Sequence, residues 1–170
     1  MKSLPRKYLI LALVTPAVIF LDQLTKYLIV QRFHLGETIP VISGYFNLTY
    51  IRNTGAAFGL LAQTEPQFRV PFFLIVPVVA LLAIAYIFKK IPAVDLKLSS
   101  ALSLVIGGAI GNLIDRLQMG YVVDFLDFHW NYAYHFPAFN IADSAICVGV
   151  GILMLDLLTQ KEVTHASAAL

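Results

Sequence analysis

The chain has little charge. Of its 170 residues 12 are Lys or Arg and 10 are Asp or Glu, 13% in all, while 59% are hydrophobic and the mean hydropathy is +0.78. A soluble domain carries about 25% charged and 45–50% apolar residues, so an ordinary water-soluble fold is excluded. Cysteine is nearly absent. Cys147 stands alone, no internal disulfide can form, and its apolar neighbourhood predicts a buried packing role. The net charge of +2 is small and its lysines are scattered, so no nucleic-acid partner is expected. There is no H-E-x-x-H pair, and His129 and His135 lie in an aromatic loop at a spacing that shares no helical face. No glycine-rich phosphate loop follows a strand, and there is no internal repeat or low-complexity segment. Zinc proteolysis and nucleotide chemistry therefore drop out, and no cofactor or metal is expected.

What is present is a set of long apolar runs. A membrane span needs roughly 20 mostly apolar residues, and four stretches meet or approach this, about 8–30, 70–88, 98–117 and 139–159. Pro16, Pro71 and Pro77 fall inside the first two, where a transmembrane helix tolerates them by kinking. The first run follows Lys2, Arg6 and Lys7 like a signal peptide, but it lacks a small-x-small cleavage site and continues into "LDQLTK", so a retained helix is expected. The expected fold is an all-α integral membrane protein, one membrane-embedded domain over 1–170. Lys2, Arg6 and Lys7, then Lys89, Lys90 and Lys97, then Lys161 mark three segments as cytoplasmic by the positive-inside rule. Both termini are then cytoplasmic, and the two longer connections, about 31–69 and 118–138, face outward. In the first of these, "ISGYFNLTYIRN" (42–53) predicts a short β-hairpin or curled strand, and "TGAAFGLLAQ" (54–63) a short interfacial helix. The aromatics of the second suit the headgroup level.

The intramembrane polar residues collect at the outer ends of the helices. Asp22 and Lys26 are i,i+4 near the end of the first; Asn112, Asp115 and Arg116 close the third; Asn140 and Asp143 open the fourth; Asp124 lies in the connection between. The inner half offers Ser99, Ser100 and Ser103. Plain roles exist for several of these groups. Asp22–Lys26 is either a helix-surface ion pair or support for a site; Asp115–Arg116 reads as an interfacial stop signal; Asp127 reads as a solvated loop carboxylate; and "GGAIGN" (107–112) reads as a close helix-packing surface. Asp143 is different, because an acid inside a span is costly unless it faces the bundle interior and is functional by default.

Lys26 and Ser144 could be read as a Ser–Lys hydrolase, but Ser144 adjoins Asp143 and has no separate activating group. Asp124 and Asp143 remain. If the connection between them folds back over the helix ends, the two carboxylates meet, and a close pair cannot readily ionise twice. The ionised member then takes a proton from an attacking water while the protonated one donates to the carbonyl oxygen. This is peptide hydrolysis without metal or covalent intermediate. A small proton-coupled transporter would also hold paired acids, along a path through the bilayer rather than in one leaflet. A non-catalytic assembly factor held by the glycine face is a third class.

In order along the chain, "DQLTK" (22–26), "RNTGAAFG" (52–59), "GGAIGNLIDRLQMGYVVDF" (107–125) and "FPAFNIADSAICVG" (136–149) resemble the motifs of the bacterial lipoprotein signal peptidase family, also called signal peptidase II. Residues 1–7 and the tail after Thr159 match nothing in it. The resemblance implies an aspartyl endopeptidase of the inner membrane with catalytic Asp124 and Asp143. It implies that Asn53, Gly55, Asn112, Arg116, Asn140 and Ala142 line or brace the site, with Asp22 and Lys26 as outer support. It implies substrates too, diacylglyceryl-modified prolipoproteins cut on the amino side of the lipidated cysteine. Membrane lipid and the peptide antibiotic globomycin would be the other partners.

Overall fold

The computed structural model describes residues 5–55 and 65–168, the side chains of Pro66 and of 160–168 excepted. Four helices are long and apolar enough to cross a membrane: α1 (Arg6–Arg32), α2 (Pro66–Lys90), α3 (Leu96–Met119) and α4 (Ile141–Ala168). The first three exceed the expected spans by a few residues at each end; α4 begins two residues later than expected and continues beyond Thr159 through the stretch read as a tail. Helix α3 starts at Asp95, whose side chain accepts from the Leu98 amide, and stops at Gly120 in the left-handed region with φ 77°.

Helix α3 is the hub, packing on α1, α2 and α4. Its inward face carries Ser99, Ala101, Leu102, Ser103, Val105, Gly107, Gly108, Gly111, Asn112 and Asp115. The glycines belong to the close-packing surface read from "GGAIGN". A Cβ on Gly108 would collide with the Ala142 backbone carbonyl, and one on Gly111 would stand 2.6 Å from an Asp22 carboxylate oxygen. Helix α1 turns Val18, Asp22, Lys26 and Ile29 inward in steps of one helical turn. The outward faces are apolar, with Leu13, Phe20, Ile75, Leu82, Met154 and Leu158 all largely exposed, as lipid contact requires. Two polar devices close the opposite end. Lys7 donates to the carbonyls of Phe88, Lys89 and Ile91 at the end of α2, and Lys97 pairs with Asp156 at 3.0 Å.

The expected hairpin is present as β1 (Thr38–Ile42) and β2 (Phe46–Asn53). The sheet is larger than that. The second connection, read as an aromatic loop, supplies β3 (Val122–Trp130) and β4 (Tyr134–His135), giving an antiparallel order β1-β2-β3-β4. Asn131 and Tyr132 both take positive φ in the turn between β3 and β4, the conformation that matches strand twist in tight hairpins. Tyr50, Val123 and Phe125 pack with Ile29 and seat the sheet on the end of α1. The interfacial helix expected over 54–63 lies, from 56 on, outside the described residues.

Two plain readings are corrected here. Asp127 is buried rather than solvated: it accepts from Asn47 Nδ2 at 2.8 Å and lies 3.0 Å from His135 Nδ1. Burial alone would raise its carboxyl, but the bonds to His135 and Asn47 outweigh that and hold it below its usual range. Cys147 is exposed, not buried, because it borders an open cavity beside α4. His129 and His135, placed on no common helical face, are instead cross-strand partners with rings stacked at 4.9 Å.

The α3–α4 contact generates a prediction. Gly108→Ala must push α4 off α3 at the Ala142 carbonyl, and overpacking of this kind costs about 1–3 kcal/mol. A lowered midpoint of thermal unfolding in detergent is the expected outcome; an unchanged midpoint would show that the helices need not approach so closely.

Candidate active site

Asp124 reaches the site through the sheet. It stands opposite Ile51 on β2, beyond a bulge between Leu48 and Ile51, and its Oδ2 accepts from Asn53 Nδ2 at 2.9 Å. Asp143 reaches the site from α4. The chain just before that helix is pinned to β3, since Phe139 N–H donates to the Leu126 carbonyl and the Phe139 carbonyl accepts from Phe125 and Leu126. That pin brings the two aspartates to one place.

Asn140 joins them. Its Nδ2 donates to Asp124 Oδ1 at 2.8 Å, its backbone N–H to Asp143 Oδ2 at 3.3 Å, and its Oδ1 accepts from the Asp143 amide at 2.9 Å. The last two bonds form a reciprocal cap at the start of α4. Asn140 and Asp124 are almost fully buried. Asn112 completes the set. Its Oδ1 accepts from Lys26 Nζ at 3.0 Å and from Asn140 Nδ2 at 3.2 Å, which turns its own Nδ2 toward Asp143 Oδ1, 2.7 Å away. An ammonium cannot accept a hydrogen bond, so Lys26 settles which way the Asn112 amide faces.

Asp22 and Lys26 are not a surface pair. Lys26 Nζ lies 2.8 Å from Asp22 Oδ2 and 3.0 Å from Asp115 Oδ2, and all three groups are buried. Asp22 Oδ1 accepts from the Ala142 amide at 2.9 Å. Asp115, read from sequence as a stop signal, is nearly as inaccessible as Asp22, and its Oδ2 also accepts from the Val123 amide at 3.0 Å. Gln23 Nε2 donates to Asp115 Oδ1 at 2.8 Å. Sequence reasoning missed both residues as parts of the site. A signal existed, for Asp115 follows Asn112 by three positions, as Asp143 follows Asn140, and residues three apart share a helical face.

A cavity of about 1080 Å³ opens beside the two carboxylates. Asn53, Asn112, Arg116, Asp124 and Asp143 give it polar lining; Val122, Phe136 and Phe139, with Ile146 and Cys147 of α4, give it apolar lining. Arg116 Nη2 donates to the Gly55 carbonyl at 3.3 Å, and the guanidinium lies over Phe73 of α2, 5.2 Å from its centroid. Asn53 Oδ1 in turn accepts from the Gly55 amide at 3.0 Å. The residues singled out from the motifs thus meet in one region; Asn53, Asn112, Arg116, Asp124 and Asp143 line the cavity, and Asp22, Lys26, Gly55, Asn140 and Ala142 do not. Ser144 donates to the Asn140 carbonyl and makes no contact with Lys26 among the bonds described, so the Ser–Lys pairing is not formed. Burial pushes the Asp124 carboxyl up to about 7; the Asn53 and Asn140 amides pull downward, and the charge of Asp143 adds to the rise.

The scaffold is that of a polytopic membrane enzyme. It is similar to a bacterial membrane enzyme solved by the in meso method at 2.3 Å, with a TM-score of 0.80 and 38% identity over 89% of this chain and 88% of that one. Residues 14–159 match the family model of Signal peptidase (SPase) II, and the chain belongs to that family of peptidases. It is 54% identical to the lipoprotein signal peptidase of Syntrophotalea carbinolica over 88% of this chain and 91% of the relative. Identity to the lipoprotein signal peptidase of Geobacter sulfurreducens is 51%, over 83% and 86%.

The buried ions carry a prediction. Lys26→Met leaves Asp22 and Asp115 without their shared cation, and breaking a buried pair on one side costs about 3–5 kcal/mol. Thermal unfolding in detergent should show a large loss of stability; a variant as stable as the parent would mean that the ammonium is dispensable to the fold.

Proposed function

We propose that the chain is an intramembrane aspartyl endopeptidase that removes the signal peptide from diacylglyceryl-modified prolipoproteins, cutting on the amino side of the lipidated cysteine. The observation that carries this reading is that Asp124 and Asp143 share Asn140 as a common hydrogen-bond partner and line the same cavity. Family membership supports the peptidase activity, and the names of the relatives support lipoproteins as the substrates.

Asp124, whose carboxyl burial raises to about 7, is assigned the shared proton and donates it to the carbonyl oxygen of the scissile bond. Asp143 takes the proton of the attacking water. The tetrahedral intermediate then collapses: the C–N bond breaks as Asp143 gives its proton to the leaving amine, Asp124 takes back the proton of the hydroxyl it had made, and no covalent enzyme intermediate forms. Asn53, Asn112 and Asn140 donate to the two carboxyls and hold their orientation toward the cavity. Arg116 and the backbone near Gly55 flank the peptide. The acyl chains lie along the apolar wall of α4 at Ile146 and Cys147, deeper in the span than Asp143. Globomycin, a peptide antibiotic, would block cleavage by filling this cavity. The distribution of basic residues supports cytoplasmic termini and, with them, a sheet and site at the extracytoplasmic face.

A proton-coupled transporter is less well supported. In the other half of the bundle Thr15, Ser99 and Ser103 donate to backbone carbonyls, and among the described residues no chain of acids continues from the site across the bilayer.

Asp124→Asn and Asp143→Asn should each lower cleavage of a lipidated prolipoprotein by about 10²–10⁴-fold while leaving thermal unfolding close to the parent. Cleavage at the parent rate by either variant would refute the dyad. The reaction needs the Asp124 proton, so kcat/KM should fall as pH rises through about 7. Asn53 donates to the carboxylate form and favours ionisation, so Asn53→Ala should move that falling limb to higher pH. A limb that stays in place or moves down would contradict the assignment.

A further inference from the structure

Each of the two proposed catalytic aspartates follows a residue whose backbone N–H is held by another buried carboxylate. Asp22 Oδ1 accepts from Ala142, the residue before Asp143, at 2.9 Å. Asp115 Oδ2 accepts from Val123, the residue before Asp124, at 3.0 Å. One ammonium holds both carboxylates together, since Lys26 Nζ lies 2.8 Å from Asp22 and 3.0 Å from Asp115. Gln23 ties the pair again from the side, donating to Asp115 at 2.8 Å and to Asp22 at 3.2 Å. We propose that Asp115 is a positioning residue, one arm of a two-armed brace with Asp22 that is clamped by Lys26 and sets the separation of Asp124 and Asp143. This rests on the dyad reading given above.

The physical case turns on where each element comes from. Asp124 rides on a strand and Asp143 on a helix, and these two elements share no regular backbone ladder beyond the short bridge at Phe139. A pair that shares a water needs its reacting oxygens fixed to within a fraction of an ångström. Backbone amides anchored to charged acceptors make short, strong bonds, and anchoring the residue directly before each aspartate leaves one peptide unit of slack. The clamp lies inside the bundle, where no water competes for its partners: the relative exposures of Asp22, Asp115 and Lys26 are 0%, 1% and 3%. Asp115 touches neither catalytic carboxyl in any bond described, so its effect passes through Val123 and Lys26. Lys26 also orients the Asn112 amide toward Asp143, so one cation serves both the spacing and the orientation of the pair.

The test uses the full chain in detergent–lipid micelles, with a diacylglyceryl-modified prolipoprotein as substrate. Asp115→Asn keeps an oxygen for the Val123 amide but loses the ionic clamp; Asp115→Ala loses both. A displacement of about 1 Å in a reacting group costs on the order of 10²-fold in rate, so kcat should fall by about 10-fold in Asp115→Asn and about 10²-fold in Asp115→Ala. KM should stay within about twofold in both, because neither change touches the cavity wall. Asp115→Glu should not restore kcat, since its longer side chain displaces Val123. The proposal is overturned if kcat of the folded variants is unchanged, if KM rises while kcat holds, or if Asp115→Asn fails to fold and the carboxylate proves to be purely structural. Asp124→Asn and Asp143→Asn run beside these. If they still cleave, the dyad reading fails; if they are inactive while the Asp115 variants keep full kcat, the brace alone fails.

Discussion

A buried ammonium has to be paired, and in this bundle the pairing of Lys26 organises what surrounds it. Asp22 comes from the same helix, Asp115 and Asn112 from the neighbouring one. Isolated charges inside a membrane bundle are far too costly to persist, so α1 and α3 can approach only in the register that satisfies all of them. The glycines at 108 and 111 make that approach possible, one letting the α4 backbone in and the other clearing space for the Asp22 carboxylate. The leftover oxygens of the cluster then reach out to the amides of Ala142 and Val123. Charge satisfaction in the core is thus converted into placement of the strand and helix that carry the site.

The same economy appears in the amides. Asn53, Asn112 and Asn140 supply neutral donors to Asp124 and Asp143, where a cation in direct contact would hold both carboxyls ionised. Donors without charge orient the carboxyls without adding a positive charge beside them. Arg116 stays at the cavity wall, bonded to the Gly55 carbonyl and lying over Phe73. The cavity then joins a polar corner to an apolar wall, which is what the proposed cleavage asks of it.

Much of this was legible in the sequence because lipid imposes simple rules. Runs of about 20 apolar residues mark spans, and polar residues inside them stand out, as Asp143, Asn112 and Asp22 do. The rest was hidden for definite reasons. Strand β3 does not alternate at its start, because Val122, Val123, Asp124 and Phe125 are all buried between sheet and helices. Asp127 looked solvated because its partner Asn47 lies 80 residues away. Cys147 looked buried because in a membrane the outside of a bundle is as apolar as its core, so hydrophobicity alone does not separate the two. Asp115 was mistaken for a stop signal because the backbone amide it holds, at Val123, is a group that no sequence pattern displays.

The central claim is that Asp124 and Asp143 act as one coupled site. Its most direct test is a ¹³C NMR titration of the Asp124 carboxyl in the parent protein and in Asp143→Asn. The account predicts a midpoint near 7 in the parent and a lower one in the variant, where the neighbouring charge is gone but burial remains. A parent midpoint in the ordinary aspartate range of about 4, or a midpoint indifferent to Asp143→Asn, would contradict it.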